Sequence, residues 1–192
     1  MVKRVLKHIV PVLTVLLLLL AGRASAQTTR SDSTVMQRLK GMGIPVTYNN
    51  RVELLMNGHD KFVDLFEAIR GARHHIHLEY FNFRNDSIAN ALFDLLAQKA
   101  AEGVKVRALF DAFGNWSNNR PLKKKHLEDI RRRGIEIVKF DPITFPWFNH
   151  AAHRDHRKIV VIDGKIGYTG GMNIADYYIK GLPKIGEWHD IH

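Results

Sequence analysis

Cysteine is absent from all 192 residues, which excludes a disulfide framework and leaves stability to a packed core. A long uninterrupted apolar run is missing too: the leucine-rich stretch at residues 9–21 falls short of the roughly 18 to 20 residues that a spanning helix needs. Acidic residues are in deficit, 19 Asp and Glu against 29 Lys and Arg, for a formal charge of +10. Four of those cations, Lys3, Arg4, Lys7 and Arg23, precede residue 27. The excess that remains favours an anionic partner, and phospholipid surfaces and nucleic acids both qualify. No internal repeat is visible along the chain.

What is present at the N-terminus is a basic start, the apolar stretch, and Ala24-Ser25-Ala26 as a small-x-small site before Gln27. These are the parts of a secretory signal peptide over residues 1–26. Export to a bacterial periplasm is expected, or membrane association if the segment stays as an anchor. Residues 27–50 read as a flexible lead-in: 27–34 are polar and without apolar periodicity, and 35–46 suggest a short helix and strand.

From residue 51 to 192 the pattern is that of one α/β domain. Residues 52–55 read as a short strand, Asn57-Gly58 as a turn, and 60–70 as a helix with Phe62, Leu65, Phe66 and Ile69 on one face. Residues 76–81 alternate as a strand, and Asp86-Ser87 caps a helix that runs through 102 and ends at Gly103. Strand 104–110, helix 123–133 and strand 135–138 follow. Strands alternating with helices of this length predict a partly parallel sheet. Residues 158–162 and 165–169, joined by Asp163-Gly164, predict a hairpin, so the sheet is mixed and flanked by helices.

The chemistry concentrates at His156, Lys158 and Asp163, followed by Gly170, Gly171 and Asn173. A histidine, one residue, a lysine, four residues and an aspartate arise by chance in roughly one such chain in twenty; adding Gly-Gly-x-Asn at fixed distance lowers this to on the order of one in a hundred thousand. His156 and Lys158 share a face if a strand begins at or before His156. A neutral imidazole can attack phosphorus while an ammonium offsets charge on the non-bridging oxygens. Gly170 and Gly171 would admit close backbone approach to a phosphate, and Asn173 would donate a hydrogen bond to it. Asp163 lies on the opposite face by parity and also suits a tight hairpin, so its expected contribution is to local geometry. No metal or cofactor is expected, because His153 and His156 face opposite ways on an extended strand and no carboxylate or cysteine set completes a site. His74, His75 and His77 form a second cluster of open role.

These residues resemble the signature of the phospholipase D superfamily, most nearly its bacterial cardiolipin synthases. Around them, His77-Leu78-Glu79-Tyr80 is similar to that group's first core strand, Asp111-Ala112-Phe113-Gly114 to its strand-end loop, the segment 170–176 to the stretch after its first histidine motif, and Trp188-His189-Asp190-Ile191-His192 to its next strand. Tyr177 stands where these synthases commonly carry an acidic residue. The resemblance implies an α/β/α sandwich built as one of two halves, with His156 as nucleophile, Lys158 and Asn173 holding phosphate oxygens and Asp163 supporting the site. It also implies a second histidine, acting as general acid for the departing alkoxide. The chain carries one copy of the motif, so that histidine is expected either from the second half of a longer two-motif chain or from a homodimer partner; the Gly-Gly-Met-Asn form and the ending inside an apparent strand favour the former.

An anionic phospholipid surface is the expected partner. The aromatic segment 142–148 would rest at a bilayer interface or pack on the core, and the runs Lys123-Lys124-Lys125 and Arg131-Arg132-Arg133 are solvated helix faces or headgroup contacts. Nucleic acid is the less favoured partner. The expected activity is transfer of a phosphatidyl group, with hydrolysis, nuclease action and inactive phosphate binding as the alternatives.

Overall fold

The computed structural model describes residues 30–142, 144, 146, 152–184 and 186–192. The expected signal peptide, and Ile143, Phe145, Trp147 and Phe148 of the aromatic segment, lie outside the described residues. Two units are distinguished, 1–52 and 53–192.

In the first unit helix α1 spans Arg30–Gly41, although its polar opening residues show no apolar periodicity. The expectation of an irregular lead-in is thus corrected over 30–34, residues 27–29 lying outside the described residues. Asp32 in its first turn and Arg38 and Lys40 in its last complement the helix dipole. The short strand expected within 35–46 does not form.

The second unit begins with an extended segment rather than the strand read at 52–55, but Leu55 exchanges both backbone hydrogen bonds with His192, at 3.0 and 3.1 Å. Then follow α2 (Gly58–Gly71), β1 (His75–Tyr80), α3 (Ser87–Ala101), β2 (Lys105–Asp111) and α4 (Ala112–Trp116). The chain continues through α5 (Lys124–Arg132), β3 (Glu136–Phe140), β4 (Lys158–Ile162), β5 (Ile166–Thr169) and α6 (Tyr177–Lys180). Helix starts follow their caps: Asn57 accepts from the Asp60 amide, and Asp86 from that of Ala89. What the sequence suggests to be a loop at 112–114 is α4, because Asp111 caps it through the Phe113 and Gly114 amides.

Five strands pair in the order β3-β2-β1-β4-β5, with β1, β2 and β3 parallel and β4 and β5 antiparallel to their neighbours. The period-2 pattern puts Ile76, Leu78 and Tyr80 of β1 on one face with Val106, Ala108 and Phe110 of β2 and Val160 and Ile162 of β4. Against it lie Phe62, Leu65 and Ile69 of α2, Leu92, Phe93 and Leu96 of α3, and Leu127 and Ile130 of α5, in one continuous core. Each such side chain contributes about 1.5–3 kcal/mol by leaving water, which is how a chain without disulfides holds together. Among the described residues helices cover this face only. The opposite face carries His77, Glu79, Arg107, Glu136, Val138, Ile159 and Val161 around a shallow groove of about 440 Å³. No helix among the described residues is long and apolar enough to cross a membrane.

Helix α2 docks at its first residue. A Cβ on Gly58 would lie 2.2 Å from the Tyr178 carbonyl oxygen of α6, so only glycine lets the two backbones meet. Glycine to alanine in an exposed helix interior stabilises by about 1 kcal/mol. Gly58→Ala is expected to reverse that sign, lowering the denaturant midpoint in an equilibrium unfolding experiment; an unchanged or raised midpoint would show that this approach is not constrained.

Candidate active site

The three parallel strands end on one edge of the sheet, and β4, running the other way, begins there: Tyr80, the last residue of β1, pairs with Lys158, the first of β4. This is the edge at which open α/β sheets bind ligands. His156 precedes β4 rather than sitting inside it, so strand parity does not decide its direction. A buried carboxylate does. Asp111 Oδ1 accepts from the Phe113 and Gly114 amides (2.8 and 2.9 Å) and from Arg154 Nη1 (3.0 Å), and Oδ2 accepts from the Asp155 amide (2.8 Å). The end of β2, the start of α4 and the approach to His156 are thereby tied at one point.

The exposed His156 ring stands 4.6 Å from that of Phe81. Lys158, buried at 4% exposure, turns its ammonium to within 3.0 Å of His156 Nδ1 and donates to the His156 carbonyl at 2.7 Å. Burial pulls the Lys158 ammonium below the usual lysine range, and the carboxylates of Asp190 and Asp155 partly restore it. Asn173 belongs to the same edge. Its Oδ1 accepts from the Asn82 amide at 3.3 Å and its Nδ2 reaches the Tyr178 hydroxyl at 3.4 Å. Accepting a backbone proton fixes which way the amide faces and leaves the NH₂ as the donor to a reacting group.

Gly170 and Gly171 are also approached closely by a distant part of the chain. A Cβ on Gly170 would lie 2.4 Å from the His192 Cα, and one on Gly171 would lie 2.2 Å from an Asp190 carboxylate oxygen. The Gly171 amide donates to the Ile191 carbonyl at 3.0 Å. The glycines therefore admit the 190–192 segment, which makes these backbone contacts without forming a regular strand.

Asp163 stays apart from the site. It lies five residues along β4 from Lys158, about 16 Å at the rise of a strand. Its carboxylate accepts from the backbone amides of Arg73, His74 and His75 at 2.8, 2.8 and 2.9 Å and so closes the α2–β1 loop onto the hairpin. Asp163 and Gly164 have φ of 53° and 65°, the left-handed conformation that a tight turn demands. Its part is the local geometry expected of a tight hairpin, and its place in a catalytic set with His156 and Lys158 is corrected on this geometry: it touches backbone at the far end of β4.

Three residues that sequence patterns do not single out complete the edge. Lys61, fully buried on α2, donates to the carbonyls of Met172 (2.8 Å) and Asn173 (3.2 Å). Asp190 is the carboxylate that raises both Lys61 and Lys158. His192 is buried with neither ring nitrogen hydrogen-bonded, and burial, then Lys61 and Lys158, push it down to about 3. The resemblance of 188–192 to a known strand was the one signal pointing to the last two. Nothing local marks Lys61.

Elsewhere, His75 and His77 stack at 4.8 Å on the open face, with His77 Nε2 3.1 Å from Arg107 Nη1. Of the basic run on α5, Arg131 bonds the Ile137 carbonyl, Arg132 pairs with Asp129 and Arg133 with Asp94. Tyr177 packs under the Arg84 guanidinium and against Trp188.

A family profile described as the PLD-like domain of cardiolipin synthase matches residues 65–180. Cardiolipin synthases of Halalkalibacterium halodurans and Alkalihalophilus pseudofirmus are 42% and 40% identical over 149 residues, 77% of this chain and 29% of theirs. The chain thus spans less than a third of the length of these relatives. Among solved structures, phosphatidylserine synthase of Haemophilus influenzae superposes with a TM-score of 0.56 at 16% identity, covering 72% of this chain and 32% of that one. NucT from Helicobacter pylori superposes with a TM-score of 0.53, also at 16% identity, over 72% and 80%. At that identity both likenesses speak for the fold.

Three amide bonds hold the Asp163 carboxyl down to about 2. Its folded value is below the ordinary aspartate value of about 3.9, so its contribution is complete above that pH and disappears as pH falls toward 2. Asp163→Asn is expected to lower the melting temperature at pH 7 and to flatten its decline between about pH 4 and 2; a parallel decline in both proteins would contradict the assignment.

Proposed function

This chain belongs to the family of cardiolipin synthase, phospholipase D-like domains, and from that premise we propose that it carries the nucleophilic half of a phosphatidyl-transfer site acting on phospholipid phosphodiesters. The observation that carries the reading is the contact of the Lys158 ammonium with the His156 imidazole at the sheet edge where β1 ends, with the Asn173 amide bonded to the Asn82 backbone just past that strand.

In this reading His156 attacks phosphorus. Its Nδ1 accepts from the Lys158 ammonium before substrate enters, which leaves the ring proton on Nε2; once that ammonium is drawn away, the exposed ring passes the proton through solvent to Nδ1, and Nε2 becomes the attacking atom. The entering phosphate draws the Lys158 ammonium off Nδ1 and onto its own oxygens, where Asn173 adds a neutral donor. A nitrogen–phosphorus bond forms as the bond to the departing alcohol oxygen breaks, and a histidine of a second motif, from a further half or a homodimer partner, gives that oxygen its proton. An acceptor hydroxyl then attacks the phosphohistidine, giving up its proton to the same histidine, and the nitrogen–phosphorus bond breaks. A glycerol hydroxyl as acceptor gives transfer; water gives hydrolysis. Export to the periplasm, or retention at the membrane by the N-terminal apolar segment, puts the site beside anionic phospholipid, and the positive charge of the chain favours that surface.

Two substrates separate lipid from nucleic-acid chemistry. The protein is expected to form an acid-labile, alkali-stable adduct with radiolabelled short-chain phosphatidylglycerol and to leave supercoiled plasmid intact. His156→Ala is expected to abolish the adduct. Nicking of plasmid without lipid turnover, or an adduct that survives His156→Ala, would overturn the assignment.

A further inference from the structure

Lys61 is a fully buried cation for which the chemistry above has no task. It sits one turn into α2, which Gly58 brings against Tyr178, and it reaches across the core to the carbonyls of Met172 and Asn173. A neutral donor would satisfy two carbonyls without the desolvation cost of an ammonium. Around it, Asp190 is the carboxylate, Lys158 the like charge and His192 a buried ring, and the Phe62 and Tyr80 rings lie 4.8 and 5.1 Å from Nζ. A second ammonium buried beside Lys158 is costly for the fold alone and useful to a site that receives an anion.

We propose that Lys61 is a positioning residue for the phosphate seat at His156. Its ammonium anchors the Met172 and Asn173 carbonyls, which holds the Asn173 amide toward the seat, and its charge acts through that hydrogen-bonded stretch on the bound anion. This rests on the phosphodiester reading of His156, Lys158 and Asn173. Lys61 does not touch the reacting atoms, and it lies outside the matched family segment of residues 65–180. Burial holds its ammonium well below the ordinary lysine range, so an anion in the seat has room to raise it.

The test uses the full chain and tungstate, a tetrahedral oxyanion, by titration calorimetry at pH 7. Lys61→Met is expected to weaken tungstate binding at least tenfold, and also to lower the melting temperature, because the Met172 and Asn173 carbonyls lose their donor. A lysine that merely holds the fold would lower the melting temperature and leave the affinity of the folded protein undiminished, and undiminished affinity overturns the proposal. Failure of the unmodified chain to bind tungstate would instead count against the phosphate seat itself. Should Lys61→Met not fold, the unmodified chain still decides through its ¹³C-labelled lysine signals. By linkage, a tenfold coupling raises the Lys61 titration midpoint by about one pH unit when tungstate binds. A midpoint that does not move overturns the proposal.

Discussion

The Asp111 carboxylate joins pieces of chain that the sheet alone would leave independent. It ends β2, caps α4 and receives both the Asp155 amide and the Arg154 guanidinium, so the residues leading to His156 are fixed against the edge of the parallel strands. A charge-assisted hydrogen bond contributes about 1.5–3 kcal/mol, and a buried carboxylate without such donors would cost more than it returns. The fold and the site therefore share this group. Strand pairing places Lys158 beside Tyr80, and Asp111 places the histidine two residues earlier.

From that point the site is assembled by long-range packing. Lys61 comes from α2, Lys158 from β4, Asn173 from the loop after β5, and Asp190 from the 188–192 segment, which the side-chain-free faces of Gly170 and Gly171 admit. Two lysines share one edge, with Asp190 in electrostatic reach of both. An arrangement of this kind keeps its donors oriented before an anion enters, which is the condition under which fixed charges lower a barrier instead of spending energy on reorganising.

Much of the fold was legible because it is written locally. Alternating residues gave β1, an apolar face gave α2, the Asp86 cap gave α3, and Asp163-Gly164 gave the hairpin of β4 and β5. The irregular reading failed over 30–34, where residues without an apolar stripe begin a helix, and the strand reading of 52–55 failed although Leu55 pairs with His192. The site was legible for His156, Lys158 and Asn173, whose spacing is itself the signal. Lys61 was not, since its partners lie 111 and 112 residues away and a lysine in an amphipathic helix normally signals solvent. Nor did the two glycines disclose the 190–192 segment, because sequence gives no account of which neighbour occupies the space a Cβ would take.

The central claim is that one anion is held jointly by His156, Lys158 and Asn173 at the carboxyl edge of the parallel strands. A crystal structure of the chain soaked in tungstate tests it most directly. The account predicts a tetrahedral oxyanion within hydrogen-bonding distance of the His156 imidazole, the Lys158 ammonium and the Asn173 side-chain amide together, with the Lys158 ammonium displaced from Nδ1. Tungstate bound elsewhere with these three side chains unmoved, or on the open sheet face beside Arg107, would contradict it.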